Sequence, residues 1–172
     1  MYNTKDLFGN RICWTILNFF IANPSIEISQ TQIIKTLNIS KLSAIKWLKF
    51  LEQKKIIIKK QIGRTNLYTS NKENSIVKQI KILNNVANII EKLPETEADI
   101  YLYGSASRGE NDEKSDIDIL VIGKDRSIID RIKKLDNRTK VSFFTPTKWS
   151  QMIREDPAFY ERVEKDKIRL ML

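Results

Sequence analysis

Residues suited to phosphate chemistry begin where the apolar run Ile100–Tyr103 ends, at Gly104-Ser105. A glycine lets the backbone turn closely at the end of a strand, and exposed N–H groups at the start of a helix attract anions such as phosphate. Ser105 places a hydroxyl where such a helix would begin. Arg108 adds a positive charge that can face phosphate oxygens. These residues predict a phosphate-binding turn.

Asp116 and Asp118 open the second apolar run, Asp116–Ile122. Alternation along a strand puts both carboxylates on one face and Ile117 and Ile119 on the other. Two neighbouring carboxylates repel each other, and a bound divalent cation removes that repulsion. Because the chain has no histidine, any metal site must use oxygen ligands, which favour Mg²⁺ or Mn²⁺ over zinc. The same absence excludes Ser–His and Cys–His catalysis.

The two groups together carry a resemblance to a known family. The pattern Gly104-Ser105-x-x-Arg108-Gly109 followed by Ser115-Asp116-Ile117-Asp118-Ile119 resembles the signature of the polymerase-β-like nucleotidyltransferases, most closely their small "minimal" members. In that family the Gly-Ser pair holds the triphosphate of an NTP. The aspartates bind two metal ions, which orient the attack of a hydroxyl on the α-phosphate and the release of pyrophosphate.

The resemblance implies a role for each matching residue. Gly104, Ser105 and Arg108 would bind the nucleotide, which is a substrate or a ligand. Asp116 and Asp118 would be catalytic and would bind Mg²⁺ or Mn²⁺. It also implies an α/β (α+β) fold with a short mixed sheet over residues 96–172, including a helix at Ser127–Leu135, a strand at Lys140–Thr145 and closing helices after Pro146.

One expected residue of the family is missing. Its third carboxylate lies on the next strand within an apolar-Asp-apolar-apolar pattern, and here that strand reads Val141-Ser142-Phe143-Phe144. A serine hydroxyl is a weak Mg²⁺ ligand and a poor base at neutral pH. Asp136 precedes the strand, but not at the family's position. The sequence therefore supports nucleotide and metal binding better than it supports turnover.

The positive charge of the chain is confined to its first part. Residues 1–72 hold 12 Lys and Arg against Asp6, Glu27 and Glu52, which gives +9, and residues 73–172 hold 18 residues of each sign. Such asymmetry suggests a unit that binds nucleic acid. A solvated basic face without a partner is the alternative.

Helical spacing and helix caps support the interpretation that this part of the chain binds nucleic acid. One helix ends at Asn23-Pro24, a second begins at the capping box of Ser29 and Gln32, and a third begins at Ser40. The apolar residues of the third helix are expected to point inward: Leu42, Ile45, Leu48 and Leu51. Its other face carries Lys41, Ser43, Lys46 and Lys49. Trp47 is expected in the core.

Two strand-like runs follow, Ile56–Gln61 and Asn66–Thr69, and Gly63 and Arg64 lie in the loop between them. This layout, over about residues 5–70, resembles a winged helix-turn-helix domain. The resemblance implies that Lys41, Ser43, Lys46 and Lys49 face the major groove of DNA and that Arg64 reaches the backbone or minor groove. Winged helices also serve as protein–protein modules, and here the charge favours DNA.

Residues 71–93 contain neither Pro nor Gly and predict a long amphipathic helix, with its apolar stripe at Ile76, Ile80, Leu83, Ala87 and Ile90. Such a helix covers its own chain's core or pairs with a second copy in a homodimer. We therefore predict two domains: a mostly α winged helix with a small β-hairpin (1–70), a connecting helix (71–95) and a nucleotidyltransferase-like domain (96–172).

The remaining expectations concern location and function. Ile12–Ala22 is too short to cross a bilayer, so we expect a cytoplasmic protein without membrane contact, with Cys13 buried. Two functions stay open: a DNA-binding protein that transfers a nucleoside monophosphate to an unknown acceptor, and an inactive transcriptional regulator or antitoxin with a protein partner. The winged helix and Ser142 favour regulation, whereas Gly-Ser and Asp-x-Asp favour chemistry.

Overall fold

The structure, a computed structural model, describes residues 7–170. The chain divides into two compact units, Met1–Lys78 and Gln79–Leu172. Residues 1–6 and 171–172, which the predicted domains included, lie outside the described residues.

Between Arg11 and Ser70, the first unit has three helices and a three-stranded antiparallel sheet. The elements are α1 (Arg11–Ala22), β1 (Ile28–Ser29), α2 (Gln30–Leu37), α3 (Lys41–Gln53), β2 (Ile57–Ile62) and β3 (Thr65–Ser70), and the strand order is β1-β3-β2. The predicted caps are confirmed. Gln32 N–H donates to Ser29 Oγ and Ser29 N–H donates to Gln32 Oε1, while Ser43 N–H donates to Ser40 Oγ. Gly63, with φ +60°, forms the tight turn between β2 and β3.

The prediction that all four apolar residues of α3 point inward was wrong for two of them. Leu48 and Leu51 are buried, but Leu42 is 80% exposed and Ile45 is 43% exposed. Ala44 is fully buried and takes the inward position one turn before Leu48. The outward face therefore combines two aliphatic side chains with the exposed lysines. Trp47 is half-buried and packs edge-on against Phe50, and Cys13 is buried as expected.

The second unit is built on a four-stranded mixed sheet in the order β6-β5-β4-β7. Its elements are β4 (Asp99–Tyr103), β5 (Ile117–Ile122), α5 (Ile128–Lys133), β6 (Thr139–Phe144), α6 (Pro146–Glu155), α7 (Pro157–Asp166) and β7 (Ile168–Leu170). Strand β5 runs antiparallel to β4 and parallel to β6, and α5 provides the crossover between the parallel pair. The predicted strands and helices lie within one to two residues of these bounds.

The two faces of this sheet have different coverings. One face packs Leu102, Ile119 and Val121 against α5 and the helix α4 (Ser75–Ile90). The other face, which bears Asp118, packs Leu120 against an aromatic cluster. This cluster consists of Tyr101, Tyr103, Phe144, Trp149, Phe159 and Tyr160. The sheet is thus anchored on both sides, which fixes the position of its polar edge.

The stripe predicted along α4 was partly wrong. Val77, Ile80 and Ile89 are buried, but Leu83 is 59% exposed and Ala87 is also exposed. Pairing of this helix with a second copy stays a prediction, as do the proposed domain bounds. In the described part of the chain, no helix combines the length and apolar character that a membrane span requires.

Candidate active site

The turn that follows β4 brings Gly104 against the Asp118 carboxylate. Gly104 has φ +75°, and a Cβ added to it would lie 2.6 Å from Asp118 Oδ2. The register explains this approach, because Tyr103 pairs with Asp118 across β4 and β5. Only glycine satisfies both the left-handed backbone and the space that the carboxylate occupies. The predicted phosphate-binding turn therefore lies directly against Asp118, one of the two predicted metal ligands.

The helix expected at Ser105 is absent from the described residues, and residues 104–109 form successive turns. Gly104 and Gly109 both have positive φ, which is incompatible with a right-handed helix. Ser107 Oγ donates to Gly104 O at 2.8 Å, and Glu110 N–H donates to Ser105 O at 2.9 Å. Ser105 itself is half-buried. The phosphate-binding potential of this segment therefore rests on a turn.

Arg108 pairs with two carboxylates in this structure, and its binding of phosphate stays a prediction. Its Nε donates to Glu110 Oε2 at 2.8 Å and its Nη1 donates to Asp166 Oδ2 at 2.5 Å. These two carboxylates raise the pKa of the guanidinium above its usual value. Arg108 thus ties the turn to the end of α7, an interaction 58 residues apart that local sequence could not reveal.

Asp116 precedes β5, and its carboxylate is paired with a lysine. Lys140 Nζ lies 2.6 Å from Asp116 Oδ2, and this contact raises the pKa of the ammonium. Lys140 reaches this position because it lies opposite Asp118 in the parallel register of β5 and β6. Both side chains are substantially exposed. The role of Lys140 could not be predicted from the sequence, since only the strand register brings it to the aspartates.

Asp118 lies deeper than Asp116, in a polar corner of the aromatic face. Burial raises the pKa of its carboxyl, and the charge of Asp116 raises that pKa further, against the opposing effects of Lys140 and Arg162. Beside it, the hydroxyls of Tyr103 and Ser142 share a hydrogen bond of 3.0 Å. Burial raises the pKa of the Tyr103 phenol, so both groups are neutral hydroxyls at pH 7.

This turn, with one carboxylate just before the adjoining strand and one on it, matches one family of proteins. A model of the nucleotidyltransferase domain matches residues 83–170, which is half of the chain. The chain belongs to the nucleotidyltransferase domain family. No curated protein matches the sequence. Among solved structures, a Sulfolobus solfataricus protein assigned as a nucleotidyltransferase is 21% identical, with a TM-score of 0.34, and the match covers 58% of this chain and 88% of that one.

Nucleotidyltransferase domains typically use a divalent metal with an NTP, so the donor set of this site decides what it could hold. Within residues 7–170, no group of three or more His, Cys, Asp and Glu side chains is placed to bind a metal. Asp116 and Asp118 alone still fit Mg²⁺, which takes one or two carboxylates and completes its shell with phosphate oxygens and water. The pair suits one such ion shared with a triphosphate.

Asp136 does not replace the missing third carboxylate of the nucleotidyltransferase site. It pairs with Arg138 at 2.7 Å, and Arg138 Nη1 also donates to the Glu113 carbonyl at 3.1 Å. Hydrogen bonds from Arg138 lower the pKa of Asp136 to about 2. The pair closes the loop before β6 and leaves Ser142 at the family's third position.

We expect Asp136→Asn to lower the free energy of unfolding by about 1 kcal/mol at pH 7, a value reduced for solvent screening. Because the pKa of this carboxyl is depressed in the folded protein, its contribution is present above about pH 4 and is lost as the pH falls toward 2. Urea denaturation at pH 7, 5, 4 and 3 measures the difference from wild type. A constant difference across this range would contradict the assignment.

Asn85, on α4, contacts the turn in a way that the sequence did not predict. Its Nδ2 donates to Ala106 O at 2.8 Å and to Asn111 Oδ1 at 3.0 Å, and Asn111 is buried. Asn85 therefore ties Ala106, inside the turn that contains Ser105 and Arg108, to Asn111, which follows the turn. A cavity of about 280 Å³ lies beside it, lined also by Arg138, on the face of the sheet opposite Asp118.

We expect Asn85→Ala to weaken the binding of Mg²⁺–NTP analogues about three- to tenfold, because two hydrogen bonds that hold the turn are lost and Asn111 loses a buried partner. Titration with the four α,β-methylene NTPs measures this effect. Gln79→Ala, at an exposed position earlier on the same helix, is the control. Equal affinities for the two variants would show that Asn85 does not position the turn.

The predicted DNA-binding residues lie on α3 and the β2–β3 turn of the other unit. Lys41, Lys46 and Lys49 are exposed, and Arg64 is exposed beside Gly63. Ser43 is half-buried and its Oγ accepts a hydrogen bond from Ser40 Oγ at 2.9 Å, and its contact with DNA stays a prediction. Lys46 Nζ lies 4.8 Å from the Trp47 ring centroid.

Proposed function

We propose that the C-terminal unit transfers a nucleoside monophosphate from a Mg²⁺–NTP complex to an acceptor hydroxyl or amine. The observation that carries this proposal is the contact between the Gly104 turn and the Asp118 carboxylate, with Asp116 close enough for its charge to act on Asp118. Membership of the nucleotidyltransferase domain family supports it. The acceptor atom forms a bond to the α-phosphorus as the bond to the pyrophosphate oxygen breaks, and pyrophosphate leaves.

Each part of the site would have a defined role in this reaction. Asp116 and Asp118 would hold the cation, and backbone N–H groups of the turn at Ser105 would bind phosphate oxygens. Mg²⁺, when bound, supplies neutralisation of the triphosphate and of the departing pyrophosphate. Ser142 is a poor base and is hydrogen-bonded to Tyr103, so no carboxylate removes the acceptor's proton at that position. We therefore expect slow turnover.

Incubation with labelled NTPs and Mg²⁺, alone and with cell lysate, tests this function. Wild type should transfer label, and Asp116→Ala/Asp118→Ala should not. The double variant Asp125→Ala/Asp130→Ala removes the same charge elsewhere in the unit and should behave as wild type. Equal labelling by wild type and the Asp116/Asp118 variant would overturn the proposal.

A second function, DNA binding by a winged helix in residues 1–70, is favoured by the exposed face of α3. Lys41, Lys46 and Lys49 share that face with Leu42 and Ile45. Lysines attract phosphates, and aliphatic side chains contact thymine methyl groups in the major groove. The order of three helices and a hairpin, with Arg64 at its tip, also supports this proposal.

Gel shifts on the organism's own upstream DNA test the second function. Lys46→Ala/Arg64→Ala should weaken binding and reduce the salt dependence by about two ions, whereas the double variant Lys72→Ala/Lys35→Ala, outside α3 and the hairpin, should change it less. An absence of binding by wild type at low salt would overturn it. DNA binding without nucleotidyl transfer would favour the alternative, a regulator or antitoxin that uses this fold to bind nucleotide.

A further inference from the structure

A lysine of the chain itself lies beside Asp116, where the proposed function places a cation. Lys140 Nζ lies 2.6 Å from Asp116 Oδ2, within hydrogen-bond distance, and Lys140 occupies the strand position directly beside Asp118. The Lys140 ammonium therefore neutralises Asp116, one of the two carboxylates that the proposed function assigns to Mg²⁺. A free cation that approached Asp116 would compete with this ion pair.

The ion pair is well placed to break. The Lys140 side chain is 67% exposed and that of Asp116 is 48% exposed, and exposed ion pairs contribute little free energy. A lysine has a flexible four-carbon stem and a strongly hydrated point charge, so its ammonium can move several ångströms without any backbone change. The side chain also starts on the face of β6 that carries Ser142, in register with Asp118, whose carboxylate meets the Gly104 turn where a triphosphate would lie.

We propose that Lys140 is an exchangeable counter-ion of the nucleotide site, which neutralises Asp116 when no nucleotide is bound and contacts a phosphate oxygen of the triphosphate once a divalent cation replaces it at Asp116. The inference rests on the proposed function, because it requires the triphosphate to bind at the turn. Under this proposal, the cation and the triphosphate bind cooperatively. The cation alone must displace the lysine, whereas the cation–triphosphate complex gives the lysine a new partner.

Lys140→Met separates these two states, because it should change the two affinities in opposite directions. Without nucleotide, removal of the competing ammonium should strengthen Mn²⁺ binding about two- to fivefold, the size expected for an exposed ion pair. With Mn²⁺ and inorganic tripolyphosphate, loss of a charge-assisted contact should weaken binding on the order of tenfold. Tripolyphosphate presents the phosphates without requiring knowledge of the base.

Mn²⁺ electron paramagnetic resonance and calorimetry on the full chain measure both affinities, independently of turnover. Lys133→Met, on α5, removes an equal charge on the other side of the sheet and corrects for long-range electrostatics, while Lys140→Arg should restore wild-type behaviour. Affinities that shift in the same direction in Lys140→Met, or match Lys133→Met, would overturn the exchange but leave the proposed function intact. Failure of wild type to bind Mn²⁺–tripolyphosphate would overturn both.

Discussion

Replacing Gly104 by alanine is expected to lower nucleotidyl labelling about 100-fold. The added Cβ would lie 2.6 Å from Asp118 Oδ2, a separation that real Cβ atoms do not tolerate, and φ +75° would add strain. The neighbouring atom is a carboxylate oxygen at the end of a side chain, so the strand is expected to survive while the carboxylate moves away. A displacement of about 1 Å at a reacting centre costs about two orders of magnitude in rate.

Gly63→Ala is the matched control for this experiment. Gly63 has φ +60°, but a Cβ there meets no atom within 4 Å, so the substitution imposes the backbone strain without a collision. We expect that strain to cost about 1–2 kcal/mol in unfolding experiments and to leave labelling unchanged. Labelling by Gly104→Ala within threefold of wild type would show that the approach of Asp118 to the turn is unimportant for the reaction.

Features that depend on near neighbours in the chain could be predicted from the sequence. The caps at Ser29 and Ser40 are local hydrogen bonds between residues three apart, and they form as expected. The strand that carries Asp118 follows from alternation, because Ile117 and Ile119 pack on the opposite face from it. Membership of the nucleotidyltransferase family follows from a motif within 16 residues.

Features that depend on distant pairing could not be predicted. Lys140 meets Asp116 only because β5 and β6 are parallel and in a particular register, which no local pattern specifies. Arg108 pairs with Asp166 across 58 residues, a contact that the motif does not specify. Leu42 fits a helical period but lies outside the buried stripe, because periodicity defines a spacing and does not identify which face is covered.

These distant pairings determine which side chains surround the nucleotidyltransferase motif. The motif supplies two carboxylates and a turn, while the rest of the fold supplies Lys140 at Asp116, Asn85 behind the turn and a Tyr103–Ser142 pair at the third position. A charged lysine and two neutral hydroxyls replace a third negative charge. The site is therefore less negative than three carboxylates would make it, which favours an anionic nucleotide and disfavours a second metal ion.

The side of the sheet that bears Asp118 depends on Trp149, and Trp149→Ala is expected to lower the free energy of unfolding by about 3–5 kcal/mol. Trp149 is 8% exposed, and its ring lies 5.4 Å from Phe144, 6.2 Å from Phe159 and 5.1 Å from Tyr160. Native-state hydrogen exchange measures the effect on peptides from β4 and β5. Trp149→Phe keeps an aromatic ring and should cost less than half as much. Equal loss of protection in the two variants would contradict the prediction that the volume of this ring stabilises the face that bears Asp118.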